Sequence, residues 1–89
     1  MIQVAFSPSF RRAYKRRIQG RLDLEDRFAV CLELFIQNPY DPRLRTHKLS
    51  GALAELWSFA VEYDCRVIFY FSNHQRAVLV DIGKHDEVY

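Results

Sequence analysis

No apolar run in this chain reaches the length of a membrane span. The opening MIQVAFSPSFRR puts a short apolar piece before its basic residues. A signal peptide has the reverse order, so the cytoplasm is the expected compartment and no membrane is expected as a partner. Cysteine is nearly absent. Cys31 and Cys65 lie far apart in apolar patterns, which suits buried free thiols and not a disulfide or metal site. With three glycines in the whole chain, there is neither a P-loop nor a dinucleotide fingerprint. Zinc spacing and a nucleophile elbow are missing too. Ser50-Gly51 reads as a turn, not a serine-hydrolase site. Residues 1–21 contain no acid. Repeats and low-complexity segments are absent.

What is present is a core. Of 89 residues, 49% are hydrophobic and 15% aromatic, which excludes disorder and fits one domain over residues 1–89. Net charge is only +2, but it is unevenly spread. Arg11, Arg12, Lys15, Arg16, Arg17 and Arg21 form one basic group, and Arg43, Arg45, His47 and Lys48 another. Solvated faces explain such runs; so does a polyanionic partner.

Residues 2–6 read as a strand. Ser7 as N-cap and Pro8 at N1 start a helix, in which Phe10, Ala13, Tyr14 and Ile18 keep helical spacing and Gly20 marks the end. Leu24, Phe28, Cys31, Leu32 and Phe35 carry a second helix over about 23–37, stopped by Asn38-Pro39. After the loop NPYDPRLRTHKLSG come three β-rich runs, 56–62, 65–71 and 77–82. The order β-α-α-β-β-β predicts an α+β domain, with a helical hairpin on one face of a three- to four-stranded antiparallel sheet.

Alternation puts Trp57, Phe59 and Val61 on one face of the first long strand, with Ser58, Ala60 and Glu62 on the other. The next strand has Cys65, Val67, Phe69 and Phe71 on its apolar face and leaves Arg66, Ile68 and Tyr70 opposite. Matching the apolar faces requires a bulge or an odd turn, and then Arg66 lies beside Ala60, away from the helices. A hairpin of 65–71 with 77–82 brings His85 near Arg66, with Tyr89 able to fold back. His47 is not placed by this argument, and Asp64 sits in the hairpin turn.

Histidine works as an acid or base near neutral pH. Arginine stabilises phosphate charge, and tyrosine stacks on bases. Together they suit RNA cleavage through the ribose 2′-OH without metal or cofactor. Blander readings stand beside it: exposed histidines at 47, 74 and 85, an Arg66 ion pair with Glu62 or Asp64, a core Trp57, a frayed Tyr89.

The series HKLSGALAELWSFAVEYDCRVIFYF…AVLVDIGKHDEVY resembles the RelE/ParE toxin superfamily over nearly the whole chain, most closely the RelE-type mRNA interferases of the YafQ and YoeB kind. Each piece is weak alone and the set is specific. The resemblance implies a RelE-like fold and a type II toxin that cuts mRNA in the ribosomal A site. It also implies a cognate antitoxin, and a toxin–antitoxin complex that binds its own operator DNA. His47 matches the histidine of the H-x-L-x-G turn, and Asp64 the hairpin aspartate. Arg66 matches the arginine at the scissile phosphate, His85 the general acid, and Tyr89 the aromatic that holds substrate. Many relatives have a second arginine where this chain has Ala60, and some YafQ-like members a basic residue in place of Asp81. YoeB-like members carry a glutamate base where Arg43 and Arg45 stand here. The general base therefore stays open between His47 and Asp64.

Arg11, Arg12, Lys15, Arg16 and Lys48 are the expected contacts to ribosomal RNA. An acidic helical segment of the antitoxin is expected on the open sheet face or the basic helices. Two other functions share this fold: gyrase inhibition of the ParE kind, and a degenerate toxin acting as antitoxin-binding co-repressor.

Overall fold

A computed structural model describes residues 1–51 and 55–89; Ala52, Leu53 and Ala54 of the motif lie outside them. The elements follow the expected order, and the α+β class with its RelE-like arrangement holds. β1 (Gln3–Phe6) leads into α1 (Pro8–Arg17) and α2 (Leu22–Gln37), then a short 3-10 turn (Pro42–Leu44). β2 (His47–Lys48), β3 (Trp57–Glu62), β4 (Cys65–Asn73), β5 (Arg76–Gly83) and α3 (His85–Val88) complete the chain.

Local chemistry sets the helix ends. The Ser7 hydroxyl accepts from the Phe10 amide at 3.1 Å, and Pro8 occupies the first turn. The α1 helix stops at Arg17, before the glycine, and Gly20 supplies the turn with φ +91°. The α2 helix ends at Gln37 just ahead of Asn38-Pro39, as the sequence predicts.

The sheet order is β1-β5-β4-β3-β2. Strands β2 to β5 are the four antiparallel strands expected. The correction is β1, which pairs parallel to β5 from Gln3↔Arg76 to Phe6↔Leu79. The sheet among the described residues is therefore mixed and five-stranded. The reason is topological: the strand enters from the far side of a helical hairpin, so its direction depends on where that hairpin packs. The other difference is the last hairpin, whose strands run longer than expected and leave only His74 and Gln75 in the turn.

Of the two ways of matching the apolar faces, the bulge is the one present. Ala60 pairs with Arg66 and Glu62 with Cys65, so Val61 is the extra residue. Its carbonyl accepts from Arg27 Nε at 2.9 Å. A second bulge, at Val80, lies where Ile68 pairs with Asp81 and Phe69 with Leu79. The Ser9 hydroxyl donates to its carbonyl at 2.7 Å. Helix side chains thus satisfy the carbonyls of these two bulge residues.

The inner face packs under the helices, α1 over β5 and α2 over β3. Phe35 stands at the centre, 4.8 Å from the Phe59 ring and 4.9 Å from Phe69. Trp57 packs against this core beside Phe69 and Phe71. Cys31 and Cys65 are buried free thiols, as expected.

Candidate active site

The outer face carries the polar groups that strand alternation assigns to it. His47 is registered opposite Ser58, and Ser58 opposite Ile68, so the three share a face. Ser58 and Ile68 are nonetheless buried, at 0% and 2% exposure. The cover is the last segment: α3 packs on β4 and β5, and the Tyr89 hydroxyl donates to Ser58 Oγ at 2.9 Å. The rings of Tyr89 and His85 meet edge to face, 4.4 Å between centroids. Contacts link His85 to Tyr89 and Tyr89 to Ser58, and the strand position opposite Ser58 is His47. His85 and His47 are exposed. The His47 Nδ1 lies 3.1 Å from the Arg45 carbonyl.

Arg66 pairs with Ala60 on one side and Gly83 on the other. His85 begins α3 just past Gly83. The ion pair weighed for Arg66 with Glu62 or Asp64 is not formed among the described residues. Asp64 is exposed in the β3–β4 turn and lines a different cavity, with Arg17, Arg21 and Glu87, whereas Arg66 lines one with Arg45 and Ala60. Lys48 is opposite Trp57 and so projects to the face opposite His47. Arg11, Arg12, Lys15 and Arg16 are exposed on α1, with the Arg11 guanidinium 5.8 Å from the Phe6 ring centre. These four α1 residues sit on the helical layer.

Two features escaped the sequence reading. Ser58 is a buried serine in a strand, which gives no periodic signal of its own. Arg17 looks like one more member of a basic helix face, yet it holds α3 in place. It donates to Asp81 Oδ1 and to the Ile82 carbonyl, both at 3.0 Å, and its Nε is 3.7 Å from Glu87. Glu87 in turn accepts from the Lys84 amide at 2.7 Å, closing the first turn of α3. A signal was available: Asp81, an acid near the end of an apolar strand, demands a partner.

Burial, aided by nearby Glu62, pushes the Cys65 thiol up to about 11, and burial also raises Cys31. Neither is a nucleophile at neutral pH. Among the described residues no three His, Cys, Asp or Glu side chains form a metal-holding group, and no helix is long and apolar enough to cross a membrane.

A strand, a helix pair and a twisted sheet with its polar groups on the outer face define the RelE-like toxin fold. Known proteins agree. A family model described as the bacterial toxin of type II toxin–antitoxin systems, YafQ, matches residues 2–89. The structure is similar to YafQ from E. coli strain BL21(DE3), with TM-score 0.81 and 18% identity, covering 100% of this chain and 99% of that one. The E. coli DinJ–YafQ toxin–antitoxin complex gives TM-score 0.79 at 18% identity, covering 99% and 97%. A YoeB/ParE toxin from Agrobacterium tumefaciens gives 0.78 at 15%, covering 94% and 99%. No curated protein matches the sequence. The chain belongs to the YafQ family and is a type II toxin of the YafQ/YoeB kind.

Proposed function

We propose that this toxin is an endoribonuclease that cuts mRNA in the ribosomal A site. The observation that carries this reading is the outer-face series His85–Tyr89–Ser58 with His47 at its far end and Arg66 free of any carboxylate partner among the described residues. The ribose 2′-OH attacks the neighbouring phosphorus while a base takes its proton. His47 suits that role better than Asp64, because Asp64 lines the cavity beside Arg17. Arg66 stabilises the charge gathering on the phosphoryl oxygens. His85 donates a proton to the departing 5′ oxygen. The products are a 2′,3′-cyclic phosphate and a 5′-OH, and the step uses protein groups alone. Tyr89 holds the nucleotide, with its ring against His85 and its hydroxyl anchored on Ser58.

A cognate antitoxin silences the toxin in this reading, as DinJ is paired with YafQ in the similar complex, and the pair binds its own operator DNA. The exposed cations of α1 contact ribosomal RNA, a sequence-independent attraction.

Primer extension on ribosome-bound mRNA tests the proposal. Wild type should give cuts phased with codons. His85→Ala, with an unchanged circular dichroism spectrum and melting temperature, should lower cleavage by at least about 100-fold, the usual worth of a general acid. Undiminished cutting by the folded variant would overturn the assignment. DNA breakage without RNA cuts would favour gyrase inhibition instead.

A further inference from the structure

Arg66 shares its cavity with three other guanidinium groups. Arg27 from α2, and Arg43 and Arg45 from the loop before β2, line the same space of about 280 Å³, and Ala60 is part of its wall. Glu62 is the one carboxylate in the lining. Two of the four cations are held in place. Arg27 donates through Nε to the Val61 carbonyl at 2.9 Å, and Arg43 is clamped to Asp41 by bonds of 3.0 and 2.8 Å. Arg45 and Arg66 have no carboxylate partner among the described residues. Like charges gathered around one concavity repel each other unless an anion joins them.

The backbone adds a second observation. Arg45 is the one non-glycine residue with positive φ among those described, at φ 51° and ψ 41°. Glycine or asparagine would adopt that conformation more easily. Strain of this kind points from structure to function. Here it sets an arginine in the cavity lining, near His47, whose ring nitrogen meets the Arg45 carbonyl.

We propose that this cavity binds a backbone phosphate of the RNA next to the scissile one, with Arg45 as its principal ligand, Arg27 and Arg43 as supporting charge, and Arg66 shared between it and the scissile phosphate. Guanidinium pairs grip phosphate oxygens in two-pronged fashion. The bound strand then runs from His85 across Arg66 into the cavity. This rests on the endonuclease reading and extends it to how the strand is held.

The test measures binding and cleavage separately. The probe is a fluorescein-labelled RNA hexanucleotide with 2′-O-methyl riboses, which cannot be cut. Arg45→Asn keeps a residue that accepts positive φ. It should weaken binding by about 5- to 10-fold at low salt and reduce the slope of log affinity against log salt by about 0.7, the signature of one lost phosphate contact on a single strand. A methylphosphonate strand of the same sequence should bind wild type and variant alike. Ala60→Arg, placed opposite Arg66 and in the cavity wall, should restore affinity to the Arg45→Asn protein. On the ribosome, Arg45→Asn should raise KM and leave kcat within about 2-fold. His85→Ala should do the opposite, losing cleavage while binding the probe normally, so the two readings fail independently. Wild-type affinity and an unchanged salt slope in folded Arg45→Asn and Arg43→Gln would overturn the proposal.

Discussion

Gly83 is the most closely packed of the three glycines. A Cβ there would meet Glu87 Oε1 at 2.9 Å and Arg17 at 3.0 Å. Those are the far ends of flexible side chains, so the fold can yield, but the groups that must move are the ones seating α3. Gly83→Ala should therefore cost only about 1 kcal/mol of global stability by urea unfolding. Its larger effect should be locally faster amide exchange in residues 84–89 and reduced toxicity. A variant with native exchange there would show that the tail tolerates the methyl group. Ser58 teaches a related point: one buried hydroxyl fixes where the Tyr89 ring lies, and through it the neighbour of His85.

A helix as short as α3, His85–Val88, is not stable on its own, since helix nucleation costs more than one turn returns. It is held by a long-range tie from α1. The Arg17 side chain is only 20% exposed, and its partners Asp81 and Glu87 are 32% and 38% exposed, so solvent screens the ion pairs in part. Allowing for that, Arg17→Gln should destabilise the protein by about 1–2 kcal/mol in urea unfolding. A double-mutant cycle with Asp81→Asn should return a coupling energy above about 0.5 kcal/mol, as expected of residues in contact. Additive effects would mean that the Arg17–Asp81 pair contributes nothing to stability. Asp81, where some relatives were expected to have a basic residue, serves here as the anchor for a basic helix.

The molecule as a whole separates its work between two layers. The inner face stacks Phe35, Phe59 and Phe69 at zero exposure, and stability resides there. The outer face holds the proposed site. Phe35→Ala should cost about 3–5 kcal/mol, read by urea unfolding. That is a large share of the 5–15 kcal/mol, roughly, that a domain possesses. A cost under about 1 kcal/mol would show that the two-layer account misplaces the core. The four-arginine cavity and the α1 cations belong to this scale too, since they present two basic surfaces on different sides of one small body.

Local signals needed no tertiary structure to be read. The Ser7-Pro8 cap, the stop at Asn38-Pro39 and the alternation of Trp57 through Glu62 all follow from short-range stereochemistry, and family membership follows from the motif series. The outer-face placement of Arg66 followed as well, because strand alternation has a strict period. Three things depended on long-range packing. The direction of β1 rests on where the helical hairpin lies. The position of His47 rests on β2 pairing with β3 across an irregular loop. The seating of α3 rests on Arg17 reaching Asp81 and Glu87 from far away in sequence. Periodicity reports which face a residue occupies; only contacts between distant segments decide which residues on that face meet.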